Sequence, residues 1–183
     1  PQNAVQLAER IQEDDDYLPV IKIRELKQGI TEQTDKASRQ IPEEYIIGDG
    51  DIIFSWSGSL EVVIWGEGKG ALNQHLFKVS SDQFPKWFYY YQTLRFLPSF
   101  RQTAADKATT MGHIKRQHLT ESLVPVPNNE ILSKASMVLG PIINQIINNK
   151  TQSRYLKALR DSLLPKLMSG RIRVIIPEGA TAK

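Results

Sequence analysis

The chain has 183 residues, 40% of them hydrophobic, which suits one medium domain with a packed core and an appended element. A net charge of +3 permits a nucleic-acid partner without requiring one. The lack of cysteine excludes disulfides and thiolate metal sites and favours a cytoplasmic protein. There is no apolar run of about 18 residues, so no membrane span is expected.

The amino-terminal region predicts a short helix followed by a linker. Apolar side chains recur at helical spacing within residues 3–13. The acidic run at residues 13–16 ends this pattern, and such a run is usually solvated.

Residues 18–81 predict a twisted, mostly antiparallel sheet, because runs of β-branched and aromatic residues alternate with turn-forming residues. Strands are expected around Val20–Ile23, Ile52–Trp56, Val62–Trp65 and Leu76–Val79. Turns are expected at residues 48–51 and 57–59, and a tight hairpin or loop at the glycine-rich residues 66–70.

Residues 85–105 predict a helix, since Trp87, Tyr90 and Leu94 follow helical spacing. Pro98 is expected to interrupt it. Residues 108–118 are polar and irregular, and residues 123–127 are expected to form a last strand that stops at its prolines.

From residue 128 to about 167 the pattern predicts a long helix, with Pro141 expected to kink or restart it and the heptad pattern broken at residues 148–151. A narrow apolar stripe on so long a helix needs a partner helix, either from a fold-back hairpin or from another chain. The expected helix-pairing residues are Leu132, Leu139, Ile142, Ile146, Leu156, Leu159 and Leu163.

These elements predict an α+β fold. We expect a sheet domain with helices at residues 1–127, a coiled-coil-forming helical region at residues 128–173 and a tail at residues 174–183. The helical region carries mostly basic charges, so its outer face could contact DNA phosphates or an acidic protein, or simply be solvated.

Motifs for catalysis are absent. There is no GxSxG elbow, Walker A loop, GxGxxG or HExxH sequence, so we expect no enzyme activity, metal or cofactor. Asp51, Glu67 and Lys69 have the order D…ExK of magnesium nucleases, in which two carboxylates hold the metal and a lysine assists water. That spacing is loose and recurs by chance, so a nuclease is an alternative with little support.

Two polar clusters could read DNA. Asn73, Gln74 and His75 supply donors and acceptors suited to base edges, while Lys115 and Arg116 suit phosphates. The first cluster could equally hydrogen-bond loops inside the fold, and the sequence leaves both interpretations open. The predicted DNA-binding residues are Ser55, Trp56, Ser57, Asn73, Gln74, His75, Thr109, Thr110, His113, Lys115 and Arg116.

Several segments, in order, resemble specificity subunits of Type I restriction–modification systems. Residues 50–59 and 70–79 resemble sheet segments of their target recognition domains. Residues 108–114 with 123–127 are similar to the block that closes such a domain, and residues 159–172 to the end of the conserved helical region.

The resemblance implies a sequence-specific reader that does no chemistry itself. In this family each recognition domain reads half of a split target in double-stranded DNA, and the helical region forms an antiparallel pair that docks methyltransferase subunits. Those modification subunits methylate adenine, and a restriction subunit translocates and cuts DNA. The partners implied are therefore DNA, both kinds of subunit and a second helical region.

The copy number differs from the family pattern. A typical specificity subunit has two recognition domains and two helical regions, whereas one of each is detected here, without an internal repeat. The chain is expected to be a half-subunit that dimerises or a fragment of a longer protein. A two-fold dimer would read a palindromic split site. A protein–protein scaffold, with the sheet domain capping a coiled coil, is a further alternative.

Overall fold

A computed structural model describes residues 17–106 and 112–173, except for the side chain of Arg116. The strands are β1 (Tyr17–Ile21), β2 (Lys36–Ser38), β3 (Ile46–Ile47), β4 (Ile52–Ser55), β5 (Val62–Ile64), β6 (Gly70–Leu72) and β7 (Leu76–Val79). The α-helices are α1 (Ile23–Gln28), α2 (Lys86–Asp106), α3 (Arg116–Thr120) and α4 (Asn129–Met168). The predicted α+β class is confirmed.

The strands form two sheets. One has the order β5–β4–β7 and is wholly antiparallel. The other has the order β2–β1–β6–β3, in which β1 and β6 run parallel and the other pairs are antiparallel. The parallel pair is possible because a long connection that contains the other sheet's first strands separates β1 from β6.

Strand β4 lies at the centre of the molecule. All four of its residues are buried, and they face two different cores because successive side chains of a strand point to opposite sides. Ile52 and Phe54 pack against helices α2 and α4, whereas Ile53 packs with Trp65 and Leu72. The β5–β4–β7 sheet is thus covered by the two helices on one face and contacts the other sheet's core on the opposite face.

Several local predictions were wrong. Ile23 starts helix α1 instead of extending β1, and residues 123–127 form no strand. Pro98 does not interrupt its helix, and α4 continues past Pro141 without restarting, so that only the expected kink at Pro141 stays a prediction. Around Pro98 the helix is retained by tertiary packing, since the adjacent Leu97 and the nearby Phe100 are buried.

Helix α4 packs on the sheet domain with its first two-thirds. It begins after Asn128, whose side chain accepts a hydrogen bond from the Ile131 amide at 2.9 Å. Ile143 is 2% exposed, and Ile146 packs against the same core. The helix runs unbroken through residues 148–151, where the heptad pattern is interrupted, and Asn149 and Lys150 line a cleft between the helix and the sheet domain.

Some expectations lie outside the described residues. These are the helix at residues 3–13, the linker at residues 13–16, Thr109, Thr110 and the tail at residues 174–183. Within the described parts, no helix combines the length and apolar character that crossing a membrane requires.

Candidate nucleic-acid interface

Three segments that are far apart in sequence meet beyond the end of β4. The Trp56 amide donates to the His75 carbonyl at 3.2 Å, and the Ile114 amide donates to the Trp56 carbonyl at 3.1 Å. Ser57 and His113 pair as an isolated β-bridge. The two polar clusters predicted separately therefore lie side by side, on either side of the residues that follow β4.

Trp56 is the central side chain of this surface. Its indole Nε1 donates to the Gln74 carbonyl at 3.1 Å. Its ring stacks on Phe77 at 6.0 Å between centroids, and the rings of His75 and His113 lie at 5.7 and 6.4 Å. We call Trp56, Gln74, His75, Phe77 and His113 the Trp56 cluster.

Phe77 was not among the predicted site residues. It follows the buried Leu76 in β7 and is 46% exposed, since alternate residues of a strand face opposite sides. A phenylalanine at an outward-facing position of a predicted strand is a signal that could have identified it. Its exposed ring makes the surface aromatic as well as polar.

Three of the predicted DNA-binding side chains are buried and bonded within the fold. Ser55 donates to the Ser59 carbonyl at 2.6 Å, and the Ser57 hydroxyl lies 2.8 Å from His75 Nδ1. The Asn73 side-chain oxygen accepts from the His75 amide at 3.2 Å. These side chains shape the loops, so the internal hydrogen-bonding role that the sequence left open is present in the structure.

Other predicted residues have exposed side chains. Gln74 and His113 lie at the rim of the Trp56 cluster, and Lys115 is exposed just beyond it. The Lys115 amide, two residues after His113, donates to His118 Nδ1 at 3.0 Å at the start of α3. The surface therefore offers an amide, imidazoles, an aromatic face and a cation, which are groups that contact base edges and phosphates.

Asp51, the first residue of the D…ExK order, has structural partners. The Asp51 carboxylate accepts from the Gly48 amide at 2.8 Å and pairs with Lys78 at 3.0 Å. Over residues 17–106 and 112–173, no group of three or more acidic or histidine side chains is placed to hold a metal ion. No feature of this geometry favours the nuclease alternative.

The predicted helix-pairing residues fall into two groups. Ile146 packs on its own domain, and Leu132 and Leu139 are half-buried. Ile142 is 45% exposed, and farther along α4 Leu156 and Leu159 are 64% and 53% exposed, whereas Leu163 is half-buried. The carboxyl-terminal part of the stripe is thus available to a partner.

Taken together, the fold and the surface define a two-part architecture: a sheet domain that carries a mixed polar and aromatic patch, and a long helix that extends beyond it. No family model matches the chain.

Specificity subunits of Type I restriction enzymes do match. The MjaIX subunit of Methanocaldococcus jannaschii is 30% identical over 166 residues, which cover 86% of this chain and 38% of the relative. The EcoBI subunit of Escherichia coli is 27% identical over 163 residues, 86% of this chain and 34% of the relative. The MjaVIII subunit of M. jannaschii is 23% identical over 154 residues, 84% of this chain and 35% of the relative.

The family resemblance is confirmed: the chain is a homologue of Type I restriction enzyme specificity subunits. It spans a little more than a third of the length of these relatives.

Proposed function

We propose that the chain is a DNA-binding specificity subunit, or half of one, of a Type I restriction–modification system. It directs adenine methylation and restriction by partner subunits to a bipartite DNA target and does no chemistry itself. The observation that carries the proposal is the match to three specificity subunits over about 85% of the chain. Residues 1–127 would be the recognition domain, residues 128–173 the spacer and residues 174–183 a tail.

DNA contact is assigned to the exposed members of the predicted site. Gln74 is suited to bidentate pairing with adenine, and His113 to an acceptor or donor on a base edge. Phe77 would contact sugar or a thymine methyl group, and Lys115 a phosphate. Ser55, Ser57 and Asn73 would act by holding the loops. Thr109, Thr110 and Arg116 remain proposed DNA contacts on the basis of sequence.

The helical region is proposed to pair with a second copy or with the other half of a longer subunit. Ile142 and Leu156 each lie seven residues from Asn149, and Leu139 and Leu159 each lie ten residues from it. An antiparallel pair centred on Asn149 would therefore place apolar residues opposite apolar residues. This symmetry supports two-fold pairing, which suits a palindromic split target.

The remaining partners follow from the family. We propose that a methyltransferase subunit and a restriction subunit assemble with this chain and that the complex is cytoplasmic. The similarity to specificity subunits supports assembly with such subunits.

Methylome sequencing tests the proposed function. The chain is co-expressed with its cognate modification subunit in a host lacking adenine methylation, and methyladenine is mapped by long-read sequencing. We expect a split palindromic motif that disappears when the chain is omitted. A complex that assembles yet methylates no defined motif would contradict the proposal.

Lys115→Ala is expected to weaken binding to all DNA sequences to a similar extent, because a phosphate contact carries no sequence information. The slope of log K against log salt should fall in magnitude by about 0.9, the value for one phosphate contact. Fluorescence anisotropy across a salt series, on the complex with the modification subunit, measures both effects.

Lys69→Ala is the matched control, since Lys69 is an exposed lysine at the opposite end of the sheets. It should leave affinity and slope unchanged. Equal slopes for wild type and Lys115→Ala would argue against the phosphate role.

A further inference from the structure

Near the end of its packed region, helix α4 is hydrogen-bonded to the sheet domain through the side chain of Arg154. The Arg154 guanidinium donates to both carboxylate oxygens of Asp49, at 2.7 and 2.8 Å, and to the Gly66 carbonyl at 3.0 Å. The Gly68 amide donates to the same carboxylate at 2.8 Å. The Arg154 guanidinium therefore links the helix to two separate loops. Its bidentate pairing with Asp49 fixes the direction of this contact as well as its length.

Both loops approach the helix closely. A Cβ atom on Gly66 would lie 2.7 Å from the Cβ of Lys150, and one on Gly50 would lie 3.1 Å from Ile147 Cδ1. The helix thus rests directly on backbone at this end. We call Asp49, Gly66, Gly68 and Arg154 the helix clamp.

The Asp49 carboxyl is held in its charged form within the clamp. Burial raises its pKa, but the hydrogen bonds from Arg154 and the Gly68 amide and the charge of Arg154 outweigh burial, so the net pKa is lowered. Asp49 and Arg154 are therefore both charged at neutral pH, the condition under which the protein would bind DNA.

Beyond the clamp α4 extends away from its domain. In the part of the chain that the structure describes, Arg154 makes the last hydrogen bond between α4 and the sheet domain. The helix continues to Met168, about 21 Å further at about 1.5 Å per residue. A 10° tilt about the clamp would move the helix end by about 4 Å, which exceeds the rise of about 3.4 Å per base pair.

We propose that Asp49 and Arg154 are positioning residues that set the angle between the recognition domain and its spacer helix, and through it the gap between the two half-sites that a paired assembly accepts. This inference rests on the proposed function. Neither residue needs to touch DNA; each acts by orienting a domain that does.

The angle can be measured in the protein without DNA. The chain has no cysteine, so Glu44→Cys and Lys166→Cys, both at exposed positions, place spin labels on the sheet domain and near the helix end. Double electron–electron resonance on protein diluted with unlabelled chain should give a narrow distance distribution. Arg154→Ala should broaden it or shift its mean by several ångströms.

Arg160→Ala is the matched control, because Arg160 lies on the same helix and pairs only with its exposed neighbour Asp161 among the described residues. It should reproduce the wild-type distribution. A folded Arg154→Ala protein with the wild-type mean and width would overturn the inference. Should Arg154→Ala not fold, by circular dichroism, Arg154→Lys and Asp49→Asn are measured in its place, and wild-type distributions from both would likewise overturn it.

The gap between the two half-sites is measured from the methylated DNA motif. Arg154→Lys keeps the charge but cannot bridge both carboxylate oxygens and the Gly66 carbonyl in one plane. We expect it to methylate the same half-sites at gaps that include one base pair more or fewer than the wild-type gap. A wild-type chain without any split motif would contradict the proposed function; a split motif whose gap is unchanged in Arg154→Lys would contradict only the role of the clamp.

Discussion

A chain carrying Leu156→Asp and Leu159→Asp is expected to lose self-association, with little change in its own melting temperature. Both leucines are more than half exposed on α4, so they contribute little to the fold of the single chain. Burying one leucine in an interface stabilises it by about 1.5–3 kcal/mol, so placing two carboxylates there should weaken pairing at least about 100-fold. Size-exclusion chromatography with light scattering measures the mass directly.

Two further variants are controls for the loss of self-association. Ala158→Asp adds an acid about 200° around the helix from Leu156 and should leave pairing intact. Ile143→Asp, at a position that is 2% exposed within the core, should instead unfold the sheet domain. A double leucine variant that remains paired like the wild type would exclude this stripe as the interface.

Trp56→Ala is expected to reduce the preference for the target sequence over unrelated DNA by about 100-fold, which corresponds to losing about 3 kcal/mol of base discrimination. The indole holds Gln74 through its carbonyl and lies against His75, Phe77 and His113. Its removal should therefore release both polar clusters together. Binding to non-specific DNA should change far less, because phosphate contacts do not depend on this ring.

Competition binding with target and scrambled duplexes, on the assembled complex, measures the preference. Trp56→Phe keeps a ring that can stack on Phe77 but lacks the indole N–H, so it should retain part of the discrimination. A folded Trp56→Ala protein with wild-type discrimination would show that the bases are read elsewhere on the chain.

Elements with strong local patterns were predicted from the sequence. The strand at Leu76–Val79 has the predicted bounds, and helix α4 ends within a residue of the expected position. The short strands β2, β3 and β6 and the helix α3 were not predicted. β2 and β6 lack the run of β-branched residues that marks β5, and β3 has only two residues, so the sequence gives little sign of these strands; they form because neighbouring strands pair with them.

The candidate site was predicted only in part. Gln74, His113 and Lys115 were selected as polar residues and are exposed, but Ser55 and Asn73 were selected on the same grounds and are buried. Residue type does not state on which side of a loop a side chain lies. Phe77 was missed because a phenylalanine in a strand is usually part of a core.

The sequence by itself determined the family, the α+β class and the presence of a long helix with an apolar stripe, because these depend on local periodicity and on motifs in order along the chain. Only the tertiary structure decided that Trp56 joins the two polar clusters, that Ile143 and Ile146 belong to the domain's own core, and that Arg154 fastens α4 to Asp49. Each of these features depends on contacts between residues that are distant in sequence. A heptad pattern, moreover, is the same whether the surface that covers it belongs to the same chain or to another chain.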